Sequence, residues 1–107
     1  MTVYFEVYQP SGMVDGTKAH QFRQQVQKLL EKNPKVIVID FKDVSFMDSS
    51  GLGALVLSLK MVRAAGAKLF LCSVNEQIMM LLELTDMYKV FRIFESREEL
   101  EKNIMNL

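Results

Sequence analysis

Val44-Ser45-Phe46-Met47-Asp48-Ser49-Ser50-Gly51-Leu52-Gly53-Ala54-Leu55 is the stretch that organises this chain. An apolar run, Val36-Ile37-Val38-Ile39-Asp40-Phe41, precedes it and reads as a buried strand. After it comes an apolar stretch to about Ala65 with helical character. Asp48, Ser49 and Ser50 are therefore expected on a strand-to-helix loop, where carboxylate and hydroxyl groups can satisfy free backbone N–H groups. Gly51 and Gly53 are expected to keep the first helical turn slim enough for another molecule's backbone to come close. A serine placed here is exposed, held by rigid neighbours and near the positive end of a helix dipole.

Working outward, Thr2 to Tyr8 alternates, with Val3, Phe5 and Val7 on one face, which predicts a strand. Pro10, Ser11 and Gly12 interrupt it, and Asp15-Gly16-Thr17 reads as a turn into a helix. Phe22, Val26, Leu29 and Leu30 supply that helix with one apolar face, and Asn33-Pro34 ends it. His20 falls on its polar flank. Beyond the central loop, Leu52, Leu55, Val56, Leu59 and Val62 are expected to face the sheet, with Gly66 as the stop. Lys68 to Cys72 is a second short apolar strand. Ser73 and Glu76 have capping-box spacing before a third helix marked by Ile78, Leu81 and Leu82. Val90 to Phe94 is the last strand, and Ser96 and Glu99 repeat the capping-box spacing before a helix carrying Leu100, Ile104 and Leu107.

Strands alternating with helices predict a single α/β domain over residues 1–107, with about four mostly parallel strands and four helices. Val38 and Ile39 belong near the centre of the sheet. The loops around Asp15, Ser49 and Asn75 all follow strands, so they are expected to share one edge.

Composition narrows the function. Half of the 107 residues are hydrophobic, enough for a core without disulfides or metals. Thirteen basic and thirteen acidic residues cancel, and the absence of a long basic run argues against nucleic acid as a partner. No signal-peptide pattern opens the chain, and Leu52 to Leu59 is too short an apolar run to span a bilayer. A cytoplasmic domain without membrane insertion is the expectation. The single cysteine, Cys72, ends an apolar strand, where a buried inert thiol is expected.

Catalysis fits poorly. Met47 stands where a nucleophile elbow needs glycine, and the only imidazole, His20, is remote from Ser49. Gly51-Leu52-Gly53 lacks both phosphate-loop patterns and a lysine, so no nucleotide cofactor is implied. Asp15, Asp40, Asp43 and Asp48 are scattered without metal-ligand spacing. Two readings of Ser49 remain level on physical grounds: a phosphoacceptor, or a helix cap together with Ser50.

Phe46-Met47-Asp48-Ser49-Ser50-Gly51-Leu52-Gly53 resembles the signature of the STAS domain in its bacterial anti-sigma-factor antagonist form. Gly12-Met13-Val14-Asp15, the strand from Val36, Ala65-Gly66-Ala67-Lys68-Leu69 and the segment from Val74 to Thr85 extend the resemblance along nearly the whole chain. The resemblance implies a substrate and switch rather than an enzyme. In that family the serine after the aspartate is phosphorylated by an anti-sigma factor that is itself a serine kinase, and by position that serine is Ser49 here. The unphosphorylated form binds that kinase, and a phosphatase of the PP2C type restores it. It implies a partner-binding surface around Asp15, Asp48, Ser49, Ser50, Gly51, Leu52 and Gly53. Family members often carry an extra N-terminal strand, whereas a single strand precedes Gly12 here. The alternative is a STAS accessory subunit docking on a membrane transporter without phosphate. Finally, Ala54, Leu57 and Met61 are expected to form an apolar strip on the helix flank away from the sheet, with Leu57 and Met61 joining the interface.

Overall fold

The computed structural model describes residues 3–104. Strand β3 (Val36–Asp40) is buried at all five positions. It lies between β1 (Phe5–Tyr8) and β5 (Lys68–Cys72), with β6 (Arg92–Phe94) beyond β5, and each neighbouring pair is parallel. Parallel neighbours need crossovers, which α1 (Ala19–Leu30), α2 (Ser49–Ala64) and α3 (Glu76–Leu84) supply. These helices cover one face, where Ile37 and Ile39 join Phe22, Val26, Leu55, Leu59, Ile78 and Leu82. On the other face Val36 and Val38 meet Phe70, Phe94 and the Leu100 and Ile104 side chains of α4 (Arg97–Ile104). Burial on both faces is why β3 has no polar alternation. Each of these fully buried aliphatic side chains stabilises the fold by about 1.5–3 kcal/mol relative to exposure.

The expected four strands are the main sheet, but the described residues hold six. Strand β2 (Ser11–Val14) and β4 (Asp43–Met47) form a separate two-stranded parallel ribbon. Gly12 adopts φ +73°, and the pairing slips between Gly12 and Met13, so that Met13 faces Phe46 and Val14 faces Met47. Val14, Val44 and Met47 point into the core, while Met13 and Phe46 stay exposed. Turn-forming residues at the start of β2 and the polar half of β4 hide both strands from pattern reading. Gly12 itself lies within β2, so two strands rather than the single one expected lead up to Asp15.

Several boundaries move. Helix α1 begins after a turn in which the Thr17 N–H and hydroxyl both donate to Asp15 Oδ1, at 3.0 and 2.6 Å. The cap of α3 is Asn75, whose Oδ1 accepts from the Ile78 N–H at 2.9 Å, so the Ser73 capping box does not form. Ser73 itself sits at φ +59°, turning the chain before the helix. Ser96 does cap α4, its Oγ accepting from the Glu99 N–H at 3.1 Å. A one-turn 3-10 helix over Met87–Lys89 shortens the last strand and leaves Val90 exposed. Thr2 and Leu107, expected in the first strand and last helix, lie outside the described residues.

The apolar strip on α2 needs correction. Helix α1 packs beside α2 and covers Ala54, which is 2% exposed. Ser58, one turn on, is fully buried and satisfies its hydroxyl by donating to the Ala54 carbonyl at 2.8 Å. Two small residues four apart let the helices approach closely. Leu57 stays exposed and Met61 is half-buried against the core.

Cys72 is buried, and burial pushes its thiol pKa up to about 11, with the nearby Asp40 carboxylate adding to the effect. It is an unreactive core residue. Asp40, also buried, accepts from the Lys42 N–H at 2.9 Å.

Candidate functional site

The site forms where β4 runs into α2. Asp48 is extended, with φ −104° and ψ −173°, and is the N-cap residue. Its Oδ1 accepts from the Gly51 N–H at 3.0 Å, and its own N–H donates to the Val14 carbonyl at 3.3 Å. Asp48 therefore fastens the helix start to itself and the loop to β2. With the cap supplied by Asp48, Ser49 and Ser50 occupy the first turn of the helix rather than capping it. Both are exposed, and neither hydroxyl has a hydrogen-bond partner among the described residues.

The two serines differ in surroundings. A Cβ built on Gly16 would lie 3.5 Å from Ser50 Oγ, so the turn after β2 sits beside Ser50. The same closeness brings Asp15 and Ser50 to one edge of the molecule. The Thr17 hydroxyl beside Asp15 holds that carboxyl below its usual value, helped by the Thr17 and Lys18 backbone N–H groups.

Gly51 has a different role from the one expected. A Cβ there would stand 2.1 Å from the Val14 carbonyl oxygen and 2.9 Å from Met47 Cγ. The close approach that Gly51 permits is to the chain's own β2, and the residue is buried. Leu52, 7% exposed, is likewise part of the core. Gly53 is exposed, and a Cβ added there would meet nothing within 4 Å, so it alone keeps the outer surface slim.

Sequence reading missed the brace behind the loop. Gln77 Nε2 donates to the Met47 carbonyl at 2.8 Å, and its Oε1 accepts from the Met47 N–H at 2.9 Å. Asn75 Nδ2 reaches the Val44 and Ser45 carbonyls at 3.2 and 3.3 Å. Side-chain amides of α3 thus occupy the edge of β4 that no strand pairs with, directly before Asp48. A glutamine two residues after a cap carries no sequence signal for this role.

Farther along α2, Leu57 lies about 12 Å from Ser49 by helical rise. It shares a shallow groove between α1 and α2 with Met61, Arg23 and Lys60. His20 is exposed on α1, and the described residues contain no cluster of three or more potential metal ligands. Chemically, the site offers an unbonded hydroxyl at a helix N-terminus on a loop held by hydrogen bonds from three sides.

Comparisons with known proteins agree with this arrangement. The model of the STAS domain family matches residues 5–100. The anti-sigma-B factor antagonist of Bacillus subtilis (strain 168) is 32% identical over 88 residues, covering 82% of this chain and 80% of that protein. The crystal structure of a candidate anti-sigma factor antagonist from Thermotoga maritima superposes with a TM-score of 0.84 at 27% identity, covering 92% of this chain and 86% of that one. The phosphorylated form of the Bacillus cell fate determinant SpoIIAA shares the fold, with a TM-score of 0.68 at 18% identity over 95% of this chain and 94% of that one. No described helix is long and apolar enough to cross a membrane.

Proposed function

The chain belongs to the STAS domain family, and from that premise we propose that it acts as an anti-sigma factor antagonist switched by phosphorylation at Ser49. The observation that carries the reading is the exposed Ser49 hydroxyl, free of internal hydrogen bonds and one residue beyond the capping Asp48. A relative of the fold exists in a phosphorylated form, which supports the same chemistry here. In this reading the protein is a substrate and not an enzyme. Its partners are an anti-sigma factor with serine-kinase activity and a phosphatase of the PP2C type. Asp15, Asp48, Ser49, Ser50, Gly53, Leu57 and Met61 form the contact surface, while Gly51 and Leu52 hold its shape from within.

The switch follows from charge and solvent. A phosphoryl group adds about −1.5 to −2 charges at neutral pH. The N-terminus of α2 favours that charge by about 0.3–1 kcal/mol, so the fold is retained. A dry protein interface would force the phosphate and the Asp48 carboxylate together with water excluded, so binding is lost.

Incubation with Mg-ATP and the kinase partner, followed by intact mass and peptide mapping, tests the proposal. One phosphate on Ser49 is expected, none on Ser49→Ala, and weakened kinase binding by Ser49→Asp. Phosphate on Ser50 or Thr85 would overturn the assignment; the Thr85 hydroxyl already donates to the Leu81 carbonyl at 2.8 Å. Binding to a transport protein with no phosphate incorporated would favour the docking-subunit alternative.

A further inference from the structure

Net charge is zero, yet the two helices that flank the groove carry no acid at all. Over Ala19–Leu30 and Ser49–Ala64 the charged residues are Arg23, Lys28, Lys60 and Arg63, and all thirteen acids lie elsewhere. None of these four cations is ion-paired among the described residues. The groove between the helices has a volume of about 290 Å³. Leu57, 43% exposed, and the half-buried Met61 give it an apolar strip, with Arg23 and Lys60 as charged flanks and Gln24 and Gln27 as uncharged ones.

We propose that this α1–α2 groove is a docking site for an acidic amphipathic helix of a partner protein. Apolar residues one turn apart on the incoming helix seat on Leu57 and Met61, and carboxylates beside them meet Arg23 and Lys60. Charge complementarity selects the occupant. A two-fold pairing with a second copy would set cation against cation. A membrane surface calls for a projecting row of large apolar side chains, whereas this surface is a groove with two apolar residues. Leu57 and Met61 also belong to the contact surface proposed above, but helix binding in the groove needs neither kinase nor phosphate and is tested apart from the modification of Ser49.

The test uses the full chain and a synthetic amphipathic helix of about 18 residues, with Leu at i and i+4 flanked by Glu. A second peptide replaces every Glu by Lys, and vesicles of phosphatidylglycerol and phosphatidylcholine form a third arm. Methyl NMR and fluorescence anisotropy are the readouts. The acidic peptide is expected to shift the Leu57 and Met61 methyl signals, and its affinity should fall by about tenfold or more in the Arg23→Glu/Lys60→Glu protein. The milder Arg23→Gln/Lys60→Gln pair, which keeps side-chain bulk, should lose part of that affinity with an unchanged amide spectrum elsewhere. Equal binding of the Lys peptide, methyl shifts confined to other surfaces, an unchanged affinity in both double variants, or binding to vesicles but to neither peptide would each overturn the proposal.

Discussion

Gly51 and Gly53 sit two residues apart in one helical turn, and the same substitution should act on them with opposite sign. Alanine is favoured over glycine inside a helix by about 0.5–1 kcal/mol. At Gly53 nothing lies within 4 Å of the new carbon, so Gly53→Ala should gain that amount. At Gly51 the new carbon would stand 2.1 Å from the Val14 carbonyl oxygen. That is roughly 1 Å inside an ordinary carbon–oxygen contact. The obstacle is backbone, so the helix start must withdraw from β2. Overpacking of this kind costs about 1–3 kcal/mol. Withdrawal also loosens the bond from the Asp48 N–H to the Val14 carbonyl, worth about 0.5–1.5 kcal/mol. Set against the helical gain, Gly51→Ala should be destabilised by about 2 kcal/mol. For a domain of about this size that is a fall in Tm of roughly 10 °C, against a rise of several degrees for Gly53→Ala. Urea denaturation monitored by circular dichroism measures both. A Gly51→Ala protein as stable as the parent, or a Gly53→Ala protein that loses stability, would refute the account of the helix start.

Three further outcomes follow from the site and its support. Asp48→Ala should cost about 1 kcal/mol through loss of the cap, while Asp48→Asn keeps the acceptor and should stay within about 0.5 kcal/mol of the parent in the same denaturation assay. Gln77→Leu leaves the Met47 N–H and carbonyl without their partner; about 2 kcal/mol should be lost, and hydrogen exchange should show faster exchange at the Met47 amide. The Cys72 thiol has a folded pKa raised to about 11 from 9.0. Its contribution is therefore complete below about pH 9 and is lost as pH climbs toward 11, a change of roughly 2–3 kcal/mol. Cys72→Ala should flatten that part of the alkaline stability profile, and an identical profile would count against burial as the cause.

The parts of the fold legible in the sequence are those whose pattern arises locally. Val36–Asp40 is apolar throughout because it is covered on both faces, and Phe22 and Val26 mark the buried side of α1 because both face one sheet. The Ser49 loop was legible because it joins such a strand to such a helix. The β2–β4 ribbon was not. Its four- and five-residue strands are exposed on one side, and their pairing depends on segments some thirty residues apart. Ala54 was misplaced for a related reason, since only the approach of α1 decides that the flank of α2 is covered. Ser73 lost the cap of α3 to Asn75, two residues later, because the chain first turns through a left-handed conformation at Ser73. Gln77 became visible only once α3 was docked on β4.

The all-parallel pairing bears on the order in which the molecule assembles. With no hairpin among the described strands, no pairing forms across a tight turn, and each waits for an intervening segment to be closed. Folding should therefore be slow for so short a chain, starting where β3 and β5 meet beneath α2. The ribbon that presents Ser49 needs β2, β4 and the amides of α3 together, which places it late on that route. During synthesis, β4 and Ser49 emerge before the Asn75 and Gln77 that brace them, so the loop acquires its final geometry only after α3 has docked.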